Sequence, residues 1–60
     1  MNDPSQQLVD VTAQIRHETD KAYLLFDGTR EAWVPKSQVE NNEDGTFTMP
    51  VWLAEDKEFI

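Results

Sequence analysis

Between Leu8 and Arg16 the chain alternates residue by residue: Val9, Val11, Ala13 and Ile15 hold one parity, Asp10, Thr12, Gln14 and Arg16 the other. A period of two carried by β-branched residues belongs to a strand with one face buried and the other wet. It excludes a helix here, whose apolar positions would recur at intervals of three and four. The next stretch, Lys21 to Asp27, is apolar at both parities, with Ala22, Leu24 and Phe26 on one and Tyr23 and Leu25 on the other. That pattern predicts a strand covered on both faces, at the centre of a sheet. Asp27-Gly28 supplies a hairpin turn, because Gly adopts positive φ readily. Arg30 to Val34 is then the returning strand, ended by Pro35, which has no N–H for the ladder.

Lys36-Ser37-Gln38-Val39 is too short for an α-helix and fits one turn of 3₁₀ helix. Glu40 to Gly45 reads as a solvated loop closed by a second Asp-Gly turn, and Thr46 to Met49 alternates again with Phe47 and Met49 inward. Pro50 suits the first turn of a helix. Val51 to Phe59 would follow, with Trp52 and Phe59 two helical turns apart on one face. Residues 1–7, polar and carrying Pro4, read as a flexible leader, leaving 8–60 as a single domain. The expected fold is mainly β (α+β): a small bent antiparallel sheet, or an SH3/OB-like small barrel, of about four strands. Its apolar face needs a cover, and the short C-terminal helix is the long element available for it.

Sixty residues allow one small core and no more, and a chain of this size buries only about 60% of the surface its unfolded form exposes. The lack of cysteine excludes disulfides and thiolate zinc sites. The apolar run at Tyr23 to Phe26 falls far short of the roughly 20 residues a membrane helix needs. Nor does the N-terminus look like a secretory signal. Twelve acidic residues against five basic ones give a net charge of −7, most of it after Gln38, where six acids face only Lys57. Such a surface disfavours direct binding to nucleic acid, which requires Lys and Arg against phosphate. It would instead draw in a basic groove on another protein. Solubility alone is the competing explanation of the charge.

An enzyme is not expected. His17 is the one histidine, it sits at a strand end, and neither Ser5 nor Ser37 has a companion base nearby. The carboxylates at Glu55-Asp56-Glu58 look like a solvated helix face, and no phosphate loop or calcium loop occurs. No metal site and no cofactor are anticipated. The distinctive segment is Trp33-Val34-Pro35-Lys36-Ser37-Gln38-Val39, a flat ring beside a rigid corner. Pro35 would leave the following amides free, Lys36 and Ser37 would hold an anion or carbonyl with Gln38 beside them, and Trp33 would stack on a planar group. Alternatively Trp33 and Val39 plug the end of a barrel and Lys36 is a solvated charge. Glu40, Glu43 and Asp44 are the candidate acidic contacts to a basic partner. Trp52, Phe59 and Ile60, crowded at the end of a short cap, point to self-association.

Trp33 to Val39 is similar to the tryptophan-x-proline corner of SH3-type barrels. The segment that carries proline-peptide binding in those barrels has no counterpart here. Glu18-Thr19-Asp20-Lys21-Ala22, Trp33 to Gln38 and Pro50-Val51-Trp52-Leu53-Ala54 together resemble short uncharacterised proteins of bacterial phages and prophages. The resemblance implies a cytoplasmic life inside a bacterial host and a role as a binder that blocks or titrates a host or defence component. Three readings follow from it. The chain is an acidic module that occupies a basic protein surface, an oligomeric sponge for a nucleotide signal built on the Trp33-Lys36-Ser37 corner, or a structural accessory protein.

Overall fold

The computed structural model describes residues 7–60. Among these residues six strands form two three-stranded antiparallel sheets. The first has the order β1 (Leu8–Thr12), β6 (Thr46–Pro50), β5 (Glu40–Asn41), and the second β2 (Gln14–Glu18), β3 (Ala22–Phe26), β4 (Glu31–Pro35). One helical element, α1 (Val51–Asp56), follows β6, and a 3₁₀ turn (Lys36–Gln38) links β4 to β5. The mainly β expectation holds, and β3 is the central strand of its sheet. No closed barrel forms among the described residues.

The alternating stretch yields two strands rather than one. At Ala13 the chain leaves the first sheet for the second, and the Ala13 N–H donates to the Gly45 carbonyl at 3.0 Å. Ala13 is buried at that bend. A second irregularity lies between Ile15 and His17, where Arg16 is the extra residue of a bulge against β3. Ile15, expected inward, keeps its parity opposite Leu25 but stays 38% exposed, because β2 is a sheet edge with nothing packed beyond it. The two-residue β5 lies inside the segment read as loop. Glu40 pairs with Thr48 and Asn41 with Phe47.

The core lies between the sheets: Val11, Phe47 and Met49 from the first face Leu25 and Val34 from the second, and Leu53, Ala54 and Phe59 close one end. Tyr23 and Phe47 join the sheets directly, with ring centroids 5.7 Å apart. The hairpin turns fall at the Asp-Gly pairs, where Gly28 has φ 103° and Gly45 φ 93°. Most of the polar leader lies outside the described residues. Gln7 does not, and it is docked: its carbonyl accepts the Val51 N–H at 2.8 Å.

The helix stops at Asp56, three residues short of the expectation. Glu58 takes a left-handed conformation (φ 63°), the Phe59 N–H returns to the Ala54 carbonyl at 2.8 Å and the Glu58 N–H to the Glu55 carbonyl at 3.1 Å. This double bond pattern is a Schellman cap with glutamate where glycine is usual. It folds Phe59 back into the core while Trp52 remains 47% exposed, so the two rings do not share a face. A non-glycine residue in this region costs roughly 1–2 kcal/mol, and an acid here also sits at the negative end of the helix. Glu58→Gly should therefore stabilise the protein by about 1 kcal/mol, despite loss of the exposed Arg30–Glu58 ion pair (3.5 Å). Thermal melting checks this: a midpoint higher by about 4–8 °C is expected.

Candidate functional site

The outward faces of the two sheets differ in chemistry. On the first, the cross-strand register lines up Asp10, Thr48 and Glu40, with Thr12 opposite Thr46 one step along. Asn42 stands over the two threonines and donates one amide proton to each hydroxyl, at 3.0 Å to Thr46 and 2.9 Å to Thr48. Each threonine passes its own proton to a carboxylate, Thr48 to Asp10 at 2.6 Å and Thr46 to Asp44. The Thr46 N–H also donates to Asp44, at 2.9 Å. Two carboxylates are thereby held at fixed positions on an exposed face. Glu40 and Glu43 stand beside them without such restraint, Glu43 at the left-handed position of the turn (φ 61°).

On the second sheet the outward face is aromatic and apolar. His17, Leu24 and Trp33 make one row across β2, β3 and β4, and the His17 and Trp33 rings meet edge to face at 5.9 Å. In the next row Phe26 pairs with Gln14 and Glu31, and Arg16, from the bulge, lies 4.8 Å over the Phe26 ring and reaches the Glu31 carboxylate at 3.4 Å. Side chains of the edge strands thus arch over Leu24 and Phe26, leaving both half-buried. Trp33 itself is 43% exposed. It is not a core plug, because Val34 and Ala32 carry the inward parity of β4.

The corner residues do not assemble as the sequence led one to expect. The Lys36 Nζ donates to Glu18 and lies 5.0 Å over the Tyr23 ring. Its backbone N–H donates to the Lys21 carbonyl at 2.7 Å, so the first amide after Pro35 is occupied. Lys36 and Ser37 border an open cleft of about 470 Å³ with Asp20, Lys21 and Pro35, which Trp33 does not line. Ser37 and Gln38 also border a second hollow of about 220 Å³, beside Leu8, Glu40 and Thr48 on the acidic side. Of the residues singled out in the sequence, Gln38, Glu40, Glu43 and Asp44 belong with the acidic face, and Trp33 lies on the other sheet. Asp10, Asn42, Thr46 and Thr48 were missed. No sequence signal marks them, since their partnership depends on the β1–β6 register.

Charge is segregated in the same way. Residues 14–37 hold four acids and four bases, a net of zero. Residues 7–13 and 38–60 hold seven acids and Lys57 alone, a net of −6. Four of the five cations are spent on internal ion pairs, Arg16 with Glu31, Arg30 with Glu58, Lys36 with Glu18 and Lys57 with Asp56.

Two carboxyls are held below the ordinary carboxylate range. Asp27 is lowered first by the Arg30 N–H and then by the Thr29 N–H, at 2.6 and 2.8 Å; Asp44 is lowered by the Thr46 hydroxyl and then the Thr46 N–H. Lys36 is raised, chiefly by its hydrogen bond to Glu18. Stability from the two aspartates is fully present above their unfolded value near 3.8 and is lost as pH falls through the lower folded values. The Lys36 contribution is present below 10.5 and is lost as pH rises through its higher folded value. The melting midpoint should thus be level in between and fall at both ends. In Asp27→Asn/Asp44→Asn the acid limb below about pH 4 should flatten, since the amide oxygen still accepts these bonds without titrating.

Among the described residues no helix is long and apolar enough to cross a membrane, and no three metal-ligating side chains lie together. No protein-family model, curated protein or solved structure matches the chain.

Proposed function

We propose that this chain is a non-enzymatic binding protein whose first sheet presents a preset carboxylate array to a basic surface of another protein. The observation that carries the reading is the Asn42–threonine relay, which fixes Asp10 and Asp44 before any partner arrives. Carboxylates already in place lose little freedom on meeting arginine or lysine, so more of the charge-assisted bonding appears as affinity. The surplus of −6 on that half of the molecule raises the encounter rate with a positive partner and orients it. The likeness of residues 18–22, 33–38 and 50–54 to short phage proteins gives the partner its context, a host or defence protein in the bacterial cytoplasm. A nucleotide sponge is less well supported, because Trp33 and Lys36 face different surroundings and Lys36 is already paired.

Affinity capture from infected bacterial lysate, followed by titration of the captured partner, tests the reading. Glu40→Gln, Glu43→Gln and Asp44→Asn together should weaken binding by about tenfold or more, mainly through a slower on-rate, and blunt its salt dependence. Lys36→Ala should change little. Binding that ignores the three acids and salt, yet fails with Lys36→Ala, would overturn it in favour of an anion site at the corner.

A further inference from the structure

The neutral half of the molecule carries a face of its own, and its two rows are self-complementary. One row runs His17, Leu24, Trp33 from β2 to β4; in the other Phe26 pairs with Gln14 and Glu31, and the bulged Arg16 reaches across the Phe26 ring to Glu31. A two-fold axis parallel to β3 lays β2 of one copy over β4 of the other. Under it the first row meets its own reverse, His17 over Trp33, and the Arg16 and Glu31 side chains that cross Phe26 meet those of the copy with opposite charges together, Leu24 and Phe26 lying beneath them. We infer that the outer face of the β2–β3–β4 sheet is a homodimer interface, its occupant a second copy of this chain.

Charge supports that occupant over any other. Self-association of a chain at −7 is opposed wherever acidic surfaces approach each other. Residues 14–37 are net neutral, and docking through them turns the acidic halves outward. Sheets stacked face to face sit about 10 Å apart, more than the roughly 8 Å over which charge is felt at physiological salt. Trp33, 43% exposed on a strand held by β3, has the character of an interface anchor. Trp52 and Ile60 are also exposed, but Phe59 is in the core, so the chain end offers no comparable array. The face is small. Three strands of five residues cover about 14 by 17 Å, below the standard interface size, so the dimer should be weak and concentration-dependent.

The inference does not rest on the acidic-face reading, and its test involves no other protein. Sedimentation equilibrium of the full chain from about 10 µM to 1 mM should show the mass rising from 7.0 kDa toward twice that value. Trp33→Ser should stay at 7.0 kDa while still melting cooperatively, since the ring is half exposed and its loss costs only about 1 kcal/mol. Arg16→Glu alone and Glu31→Arg alone each place like charges opposite each other and should be monomeric. An equimolar mixture of those two variants restores opposite charges at both contacts and should associate again. A wild-type chain that is monomeric at 1 mM, a dimer that survives Trp33→Ser undiminished, or a mixture that fails to associate would each overturn the assignment.

Discussion

Leu25→Ala is expected to abolish folding at room temperature. Leu25 lies within β3, is fully buried, and pairs with Ile15 on one side and Ala32 on the other. Truncating a buried leucine costs about 2–5 kcal/mol, toward the upper end where the walls are β-strands that cannot collapse into the hole. A single core in a chain this short supplies no more than roughly 3–5 kcal/mol in total. Circular dichroism of the variant should show no cooperative melt. Trp33→Ala makes the contrast. As the plug of a barrel end, one of the two readings of the sequence, Trp33 would cost about 3–5 kcal/mol on truncation; on an outward face, 43% exposed, its loss should be nearer 1 kcal/mol. A Leu25→Ala protein that melts like the wild type, or a Trp33→Ala protein that does not fold, would mean β3 and β4 present the opposite faces to the core.

Phe59→Ala is the second large effect. The ring is 9% exposed and closes the end of the core beside Leu53 and Ala54, while its backbone N–H completes the helix cap. A loss of about 3–4 kcal/mol is expected. Removing only Ile60, which is 59% exposed, should leave the melt within about a degree of the parent. Thermal melts of the two variants together locate the end of the folded unit. Equal loss in both would show that the ring contributes no more than the exposed terminal residue.

The strands from Leu8 to Val34 were legible because each carries a local pattern: alternation, a doubly apolar run, a Gly turn and a terminating Pro. What escaped was set by tertiary geometry. Nothing near Ala13 announces a bend, since alanine fits an ordinary strand equally well; the constraint comes from the Gly45 carbonyl thirty-two residues away. The helix was read too long because Glu58 has no intrinsic preference for a left-handed conformation, which is imposed by the burial of Phe59. For the candidate site, Glu40, Glu43 and Asp44 were proposed from charge alone. Charge could not distinguish Asp44, fixed by Thr46, from its free neighbour Glu43. Asp10 was set aside as the polar half of an alternating strand, and only the β1–β6 register gives it Thr48 as a partner. The Trp33 corner was misjudged for a related reason. A ring two residues before a proline is adjacent in sequence to Lys36, yet strand parity sends the two to different surroundings.

The passage of one uninterrupted segment, residues 8–18, from the first sheet into the second makes its length a shared ruler. A slip of one residue along β6 would turn Val9 and Val11 to water, and through the fixed point at Ala13 it would shift the β2 ladder as well. Neither sheet can therefore be wrong by itself. The segment accepts substitutions one position at a time, but a residue gained or lost anywhere except the bulge at Arg16 would disrupt both sheets at once.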